Sequence, residues 1–306
     1  MTTICSYDQM LQVAETAGPV PVVIAAAHEH EVLVAASEAQ ARGIVHATLV
    51  GNAQTIRQMA REHELDIHAM AIVDEPDDSS AADKAMQIVA TGGARVAVKG
   101  QVQTPVFLRA ALRREAGLRT ERLITHVGVF EVPGLDRLLF ITDGGVVLYP
   151  TLEQKVEIVS NAIAVARGLG VSIPRVALLA AADEVLSDLP VTVEIAEIVA
   201  MQERWEAEGA IVGGPFLLDT AVSPEISLSR QRYGRVAGHA NVLVGPDVES
   251  VNIMAKGITY FARGRMAGLV VGAKVPLVVG SRADPPRTRL VCIAAGALLA
   301  ARSPAP

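Results

Sequence analysis

Val20-Pro-Val-Val-Ile-Ala-Ala-Ala27 is a short apolar run, and the residues after it repeat with helical spacing. Val32, Ala36 and Ala39 share one helical face, and a second apolar run, His46-Ala-Thr-Leu-Val50, follows. A strand, a helix and another strand in this order are typical of a parallel β-α-β unit. The stretch therefore predicts an α/β fold.

The same alternation continues along the chain. Further strands are predicted at residues 94–98, 175–179, 210–212, 242–244, 268–271 and 277–279, with helices near 53–63, 80–90, 151–166 and 195–205. Thr151-Leu-Glu-Gln154 is a capping-box sequence. Runs at 123–130 and 137–142 flank Pro133-Gly134 with no room for a helix, which predicts a hairpin and a hinge towards a second domain.

The composition restricts the class of protein. A length of 306 residues fits about two domains. Hydrophobic residues make up 51%, charged residues 20%, and the net charge is −6, which excludes a disordered chain and a generic polyanion binder. Aromatic residues are only 3%, too few to stack on nucleic acid bases. We therefore expect an aliphatic core and no nucleic acid partner.

The mean hydropathy of +0.36 raises the question of a membrane. The longest apolar run, 290–301, has 12 residues, whereas a spanning helix needs about 20, so a buried helix is predicted there. The first residues carry no export signal. Cys5 and Cys292 form neither a disulfide framework nor a zinc pattern. These features predict a cytoplasmic protein without membrane contact.

Familiar phosphate and metal motifs are absent. Gly268-Leu-Val-Val-Gly-Ala-Lys274 lacks the spacing of a P-loop, and no Gly-x-Gly-x-x-Gly follows a strand. His28-Glu-His30-Glu31 stands at a helix start, where acidic residues favourably meet the positive helix end. His126 and His239 have no partner at ligand spacing. No metal site is predicted, and these histidines are interpreted as structural.

The most informative polar stretch is Gly280-Ser-Arg-Ala-Asp-Pro-Pro-Arg-Thr-Arg289. It follows a predicted parallel strand, and ligands of open α/β sheets bind at such carboxyl ends. Arg282 can hold phosphate oxygens through two hydrogen bonds, and Ser281 can donate another. The alternative is structural: Asp284 as a helix N-cap, with Pro285 as the first helical residue. Both interpretations stay open at this point.

Short motifs follow one another in a fixed order over most of the length. They are Leu49-Val-Gly51, Lys99-Gly100 with Thr104, Phe107-Leu-Arg109, Gly117-Leu-Arg119, Thr125-His126, Phe130-Glu-Val-Pro-Gly134, Thr142-Asp143, Glu153-Gln-Lys155, Gly214-Pro215, Asp219, Ala221-Val-Ser223, Asn252, Lys256, Val271-Gly-Ala-Lys-Val-Pro276 and Ser281-Arg-Ala-Asp284. In these motifs the chain resembles the phosphate acetyltransferase and phosphate butyryltransferase family, and it is nearer the butyryl branch.

The resemblance implies a fold and a reaction. The fold would be two α/β/α sandwich domains with mainly parallel sheets, like isocitrate and isopropylmalate dehydrogenases, with the active cleft between them. Residues 1–145 with 270–306 would form a discontinuous first domain, and 146–269 the second. The reaction would be acyl-CoA plus phosphate to acyl phosphate plus CoA, with a short acyl group such as butyryl. Coenzyme A would be a substrate, no cofactor is implied, and the protein would be a homodimer or larger.

The resemblance also implies roles for particular residues. Ser281 would sit at the thiol and the oxyanion, and Arg282 would hold phosphate. Thr104 would contact phosphate or, alternatively, cap a helix before Pro105. Further substrate contacts would come from Lys99, Asp143, Asn252 and Lys256. The sequence itself concentrates arginines in two clusters where an anionic substrate could meet them: Arg282, Arg287 and Arg289, and separately Arg230, Arg232 and Arg235. The alternative for the second cluster is a solvated loop.

Five positions depart from the family pattern. Gly213, Val147 and Asn241 stand where relatives carry polar or acidic residues, Val251 replaces a glycine, and Thr288 replaces the carboxylate that acts as base in the acetyl branch. An active acyltransferase could use Asp284 or Asp219 instead, or none, since an alkyl thiol with a pKa near 8.5 is already partly ionised.

Two other hypotheses stay open. One is a relative that has lost turnover and binds acyl-CoA or phosphate as a regulatory protein. The other is an oxidoreductase of the hydroxythreonine-phosphate dehydrogenase type. Such enzymes need metal-binding histidines from both halves, and His239 is the only histidine in the second half of this sequence.

Overall fold

A computed structural model describes residues 4–281 and 283–302. The helices are α1 (Tyr7–Ala17), α2 (His30–Ala41), α3 (Ala53–Glu62), α4 (Asp78–Ala90), α5 (Thr104–Leu112), α6 (Leu152–Gly168), α7 (Pro190–Val199), α8 (Gln202–Ala207), α9 (Leu218–Val222), α10 (Pro224–Ser229), α11 (Val248–Tyr260) and α12 (Pro286–Arg302). The strands are β1 (Val20–Ala25), β2 (Val45–Gly51), β3 (Ala71–Asp74), β4 (Val96–Lys99), β5 (Thr125–Glu131), β6 (Leu139–Thr142), β7 (Arg175–Leu179), β8 (Ile211–Phe216), β9 (Val242–Val244), β10 (Arg265–Val271) and β11 (Leu277–Val278).

The chain divides into two compact units. The N/C unit consists of Tyr7–Arg122 and the chain from Ala267 onwards, and the central unit consists mainly of Leu123–Met266. We expected residues 123–145 in the first domain, whereas this division assigns them to the central unit. The physical reason is strand pairing, because β5 pairs with β6, and β6 pairs in parallel with β9.

In the N/C unit the strand order is β3-β2-β1-β4-β11-β10. All neighbours are parallel except β10 and β11. The chain moves outwards from β1 to β3 and then returns to the other side of β1 as β4, which makes a doubly wound sheet. Helices α1, α2 and α12 pack together, and α4 packs against α5, β1 and β2. The expected α/β class with mainly parallel strands is confirmed.

The C-terminal helix α12 forms much of the N/C core. Its apolar run from Leu290 onwards is buried, as the sequence predicted, and it packs against β1, β4 and β11. Gly296 lets α12 approach the sheet, because a Cβ at this position would lie 2.6 Å from Val278 and 3.0 Å from Val96. Among the described residues, no helix is both long and apolar enough to cross a bilayer.

In the central unit the order is β5-β6-β9-β7-β8, with an antiparallel β5-β6 hairpin and parallel pairs beyond it. The predicted hairpin and capping box are confirmed: Thr151 accepts from the Gln154 backbone, and the Gln154 side chain accepts from the Thr151 backbone. The core is aliphatic and aromatic, with Phe130, Leu243 and Val251 buried in it.

Some elements differ from the sequence prediction. The single helix expected over 195–205 is two helices, because the chain turns at Ala200 and Met201 between α7 and α8. Strand β3 was not predicted, since its residues are half-exposed at the sheet edge and the apolar signal is weak. Helix α12 begins at Pro286 rather than Pro285.

Candidate functional site

Three loops leave the same edge of the N/C sheet. In the parallel register Ala25 lies opposite Lys99, and Val98 lies opposite Val278, so β1, β4 and β11 all end at this edge. The strand order reverses between β1 and β4. In doubly wound sheets the crevice at such a reversal is the usual ligand site.

The Lys99-Gly100 motif has a steric explanation. Backbone hydrogen bonds of 2.9 Å join Gly100 N to Ala25 O and Gln101 N to Ala26 O. A Cβ on residue 100 would lie 2.3 Å from the carbonyl oxygen of Ala26, so only glycine allows this approach. The Lys99 side chain is buried, and its ammonium donates to the carbonyls of Gly100 and Val102 at 2.9 and 3.2 Å. Lys99 thereby fixes the loop after β4.

Thr104 is the first residue of α5, directly after this loop. The N-cap position belongs to Gln103, so the alternative in which Thr104 caps the helix is wrong. Its hydroxyl makes no hydrogen bond to any described residue. A half-buried hydroxyl at the positive end of a helix is well placed to meet an anion.

Ser281 and Asp284 form a closed turn after β11. The Asp284 carboxylate accepts from the Ser281 backbone N at 2.6 Å, and the Asp284 backbone N donates to the Ser281 carbonyl at 3.1 Å. Because α12 begins at Pro286, Asp284 does not take the N-cap role considered above. Arg282 lies outside the described residues, and its phosphate role stays a prediction.

The Arg289 side chain holds the Ser281 turn through hydrogen bonds. Its guanidinium donates to the carbonyls of Ser281 and Asp284 at 3.2 and 3.3 Å. It also forms a two-point pair with Glu29 at 2.6 and 2.9 Å, and the Arg289 side chain is 3% exposed. The expectation that Arg289 offers free charge to an anion is therefore wrong, because Glu29 neutralises it. Glu29, which follows β1, was missed since its partner is 260 residues away.

Other expected cations are paired as well. Arg287 forms an exposed ion pair with Asp8. In the central unit Arg230 holds both oxygens of Asp219, at 2.7 and 2.9 Å, and Arg232 pairs with Glu184. The second cluster is thus largely a set of surface ion pairs, as expected for solvated arginines.

His28 is a structural residue at the same edge of the N/C unit. Its Nε2 pairs with Asp78 at 2.9 Å, and its Nδ1 accepts from the Asn52 backbone at 3.3 Å. Nowhere in the described part of the chain do three or more His, Cys, Asp or Glu side chains cluster as metal ligands do.

The carboxyl edge of the central unit carries Asp143, directly after β6. Its buried carboxylate accepts from the backbone N of His126, Gly145 and Val146 at 2.8 to 2.9 Å, and of Val147 at 3.3 Å. Asp143 therefore folds the loop around itself. The carboxylate is thus engaged by backbone N–H groups, and the expected substrate contact of Asp143 stays a prediction.

Asn252 and Lys256 lie one turn apart on α11, beside that loop. The Asn252 amide donates to the Gly144 carbonyl at 3.1 Å. Lys256 is exposed and pairs with no carboxylate within the described residues. An unpaired ammonium near an ordered loop can bind an anionic group.

The structure shows the surroundings of three of the five positions that depart from the family pattern. The Asn241 side chain accepts from the Arg175 backbone N–H at 2.8 Å, at the amino ends of β7 and β9. This is the opposite end of these strands from their carboxyl edge. Val251 is buried and occupies the space that side chains at Gly144 and Gly245 would need. Thr288 is buried in the first turn of α12 and offers no carboxylate.

The motifs and the fold agree with a family comparison. The family model described as "Phosphate acetyl/butaryl transferase" matches residues 6–86 and 77–297. The chain belongs to this phosphate acyltransferase family. The expectation from the sequence motifs is confirmed, and the chain is an acyltransferase of the phosphate butyryltransferase and phosphate acetyltransferase type.

Individual relatives of this family cover nearly the whole chain. It is 39% identical to a phosphate butyryltransferase of Clostridium beijerinckii, over 97% of this chain and 99% of the relative. It is also 39% identical to a phosphate acetyltransferase of Rhizobium meliloti, over 97% and 94%. A branched-chain phosphotransacylase structure from Enterococcus faecalis is 28% identical with a TM-score of 0.80, covering 92% of this chain and 99% of that one. Nothing among these relatives supports a non-catalytic binding protein.

Proposed function

We propose that the protein transfers a short acyl group, butyryl or a similar one, reversibly between coenzyme A and inorganic phosphate. A phosphate oxygen attacks the thioester carbonyl carbon, forming a C–O bond. The tetrahedral intermediate then collapses, the C–S bond breaks, and the coenzyme A thiolate leaves and takes up a proton. The observation that carries this proposal is the Ser281 turn, clamped at a ligand-binding sheet edge in a chain of this family.

The N/C unit supplies the residues assigned to phosphate and to the transfer step. The Ser281 hydroxyl donates to the developing oxyanion, and Arg282 holds phosphate. The Thr104 hydroxyl adds a phosphate contact, and Lys99 shapes the loop that presents it. Asp284, three residues after Ser281, is the general base for the thiol in the reverse direction.

We favour Asp284 over Asp219 as the general base because the two carboxylates have different hydrogen-bond partners. Arg230 engages both carboxylate oxygens of Asp219, whereas Asp284 accepts from a backbone N–H within the Ser281 turn itself. In the central unit the Asp143 loop, Asn252 and Lys256 are assigned to the acyl-CoA substrate, with Lys256 facing a phosphate group of coenzyme A.

The remaining parts of the proposal concern partners. The reaction uses no bound metal or organic cofactor, because coenzyme A is a substrate and the thioester is itself an activated acyl donor. The homodimer or larger assembly and the cytoplasmic location stay predictions.

Phosphate-dependent release of free thiol tests the proposal, with acetyl-, propionyl-, butyryl- and isobutyryl-CoA as substrates. Arg282→Ala is expected to lower kcat/KM for phosphate roughly 30-fold to 1,000-fold, the effect of losing one charge-stabilising donor. Arg287→Ala removes a nearby exposed arginine and is the matched control. Absence of thiol release with every acyl-CoA, despite measurable butyryl-CoA binding, would favour a non-catalytic relative.

A further inference from the structure

His126 lies at the start of β5, beside the Asp143 loop of the central unit. Its backbone is fixed on both sides: the N–H donates to Asp143 at 2.9 Å, and the carbonyl accepts from the Thr142 hydroxyl at 2.8 Å. A Cβ on Gly145 would lie 3.9 Å from the imidazole ring. The ring therefore borders the Gly144-Gly145 turn, and the Gly144 carbonyl of this turn accepts from the Asn252 amide.

The ring has one unexplained nitrogen. Nδ1 of His126 is sealed from solvent and has no hydrogen-bond partner, and it is the sole side-chain nitrogen or oxygen in this state among the described residues. Nε2 is not sealed in this way, and the residue as a whole stays partly exposed. Orphaned buried polar atoms are rare and call for a specific reason.

Burial affects both the charge of the His126 ring and the nitrogen that carries its proton. Burial lowers the pKa of the imidazole, and the negative charge of Asp143 opposes this effect only in part. Burial therefore favours the neutral form of the ring. A proton on Nδ1 would be a buried N–H without an acceptor, which is less tolerable than a buried lone pair. The proton consequently resides on Nε2, on the accessible side of the ring.

We propose that His126 is a catalytic residue that donates a hydrogen bond from Nε2–H to a carbonyl oxygen of acyl-CoA. A neutral donor suits a carbonyl oxygen, whereas a phosphate dianion is better matched by arginine or lysine. A neutral imidazole is known to polarise a substrate carbonyl in this manner. The sequence motif Thr125-His126 acquires a role that its strand position alone did not indicate. This inference rests on the proposed function, because acyl-CoA is the substrate assigned there.

Two carbonyl sources exist in the substrate, and ligand titration separates them. Butyryl-CoA has a thioester carbonyl and the amide carbonyls of its pantetheine arm, whereas free coenzyme A has only the amides. Nitrogen-15 NMR of the histidine side chains, assigned with His126→Gln, should show the Nε2–H tautomer of His126 between pH 6 and 8. A shift of this signal with butyryl-CoA alone identifies the thioester carbonyl, and a shift with both ligands identifies an amide.

These measurements need no turnover, so they stay decisive if the proposed reaction fails. No shift with either ligand, under conditions where binding is measured independently, would overturn the inference. A shift with inorganic phosphate alone, or a proton on Nδ1, would overturn it as well.

Substitutions provide the second test. Gln places an amide N–H close to the position of imidazole Nε2, whereas Asn places it close to Nδ1. His126→Gln should retain thiol release within about 5-fold of the unmodified protein. His126→Asn should lower kcat roughly 100-fold if the partner is the thioester, the scale of one oxyanion donor, or raise KM for acyl-CoA about 10-fold if it is an amide. Equal activity of the two variants, both folded by circular dichroism, would contradict the donor role.

Discussion

Arg289 and Glu29 form a largely buried ion pair with two hydrogen bonds, although 260 residues separate them along the chain. The pair connects α12 to the segment that follows β1. The same guanidinium donates to both ends of the Ser281–Asp284 turn. Arg289 thus holds the turn that carries the proposed chemistry, while its charge is neutralised by Glu29.

Breaking this pair should affect both stability and catalysis. We expect Arg289→Ala to lower the free energy of unfolding by about 2 to 4 kcal/mol, because the largely buried Glu29 carboxylate would lose its partner. Urea unfolding measures the loss. Arg287→Ala, which removes an exposed pair with Asp8, should change it by less than about 1 kcal/mol. Equal losses of unfolding free energy in the two variants would contradict a stabilising role of the Arg289–Glu29 pair.

Arg289→Lys separates geometry from charge. Lysine keeps the positive charge but cannot bind Glu29 and two carbonyls together, because it lacks the planar fork. We expect kcat to fall at least about 10-fold, with KM for acyl-CoA nearly unchanged. Steady-state kinetics on butyryl-CoA checks this, and a change in KM alone would point to a different role.

Asp284→Asn tests the proposed base. The Asn oxygen can still accept from the Ser281 backbone N–H, so the turn should survive, but the amide cannot take a proton. We predict a fall in kcat of roughly 100-fold to 10,000-fold, measured in the direction that consumes acyl phosphate and coenzyme A. Asp219→Asn is the comparison, and a larger effect there would transfer the base role to Asp219.

Gly100 should tolerate no side chain. The Cβ of alanine would overlap the carbonyls of Ala26 and Ala25, at 2.3 and 2.8 Å, so β1 or the loop after β4 must shift. We expect Gly100→Ala to lower the free energy of unfolding by about 2 to 4 kcal/mol. Gly257→Ala is the control in α11, where the nearest side-chain atom is 4.0 Å away, and it should stabilise by about 0.5 to 1 kcal/mol.

The two cysteines should differ in reactivity. Burial, reinforced by the charge of Asp284, raises the pKa of the Cys292 thiol to about 12, so almost no thiolate exists at pH 8. Cys5 is only partly buried. A colorimetric thiol reagent should label one cysteine in the native protein and both in denaturant. Rapid labelling of Cys292 in the native state would show that α12 opens readily.

His126 should make the protein sensitive to acid. Because its pKa is lowered on folding, the unfolded chain binds the extra proton first, and stability falls as pH drops below about 6.5. Above that pH the His126 imidazole is largely neutral in both the folded and the unfolded chain, so it no longer makes the free energy of unfolding depend on pH. His126→Gln should lose less stability than the unmodified protein between pH 6.5 and 5, measured by urea unfolding at each pH. Parallel losses in both proteins would remove His126 as the cause.

The sequence determined the fold class and much of the element pattern. Apolar runs predicted β7 and β9 with their observed bounds, and the Thr151–Gln154 capping box located the start of α6. Such signals are local, because hydrophobic spacing and caps depend on residues within a few positions of each other. The ordered motifs also indicated the family. Each motif is a contiguous run of residues, so it can be recognised without knowledge of the fold.

The tertiary structure decided which charges are free and which histidine is unpartnered. Glu29 neutralises Arg289 and Arg230 holds Asp219, although the sequence presented both arginines as available cations. His126 was interpreted as structural, and only its sealed Nδ1 distinguishes it from other histidines. Ion pairing and desolvation depend on which residues meet in space. A pair 260 residues apart leaves no local pattern, so only the folded chain reveals it.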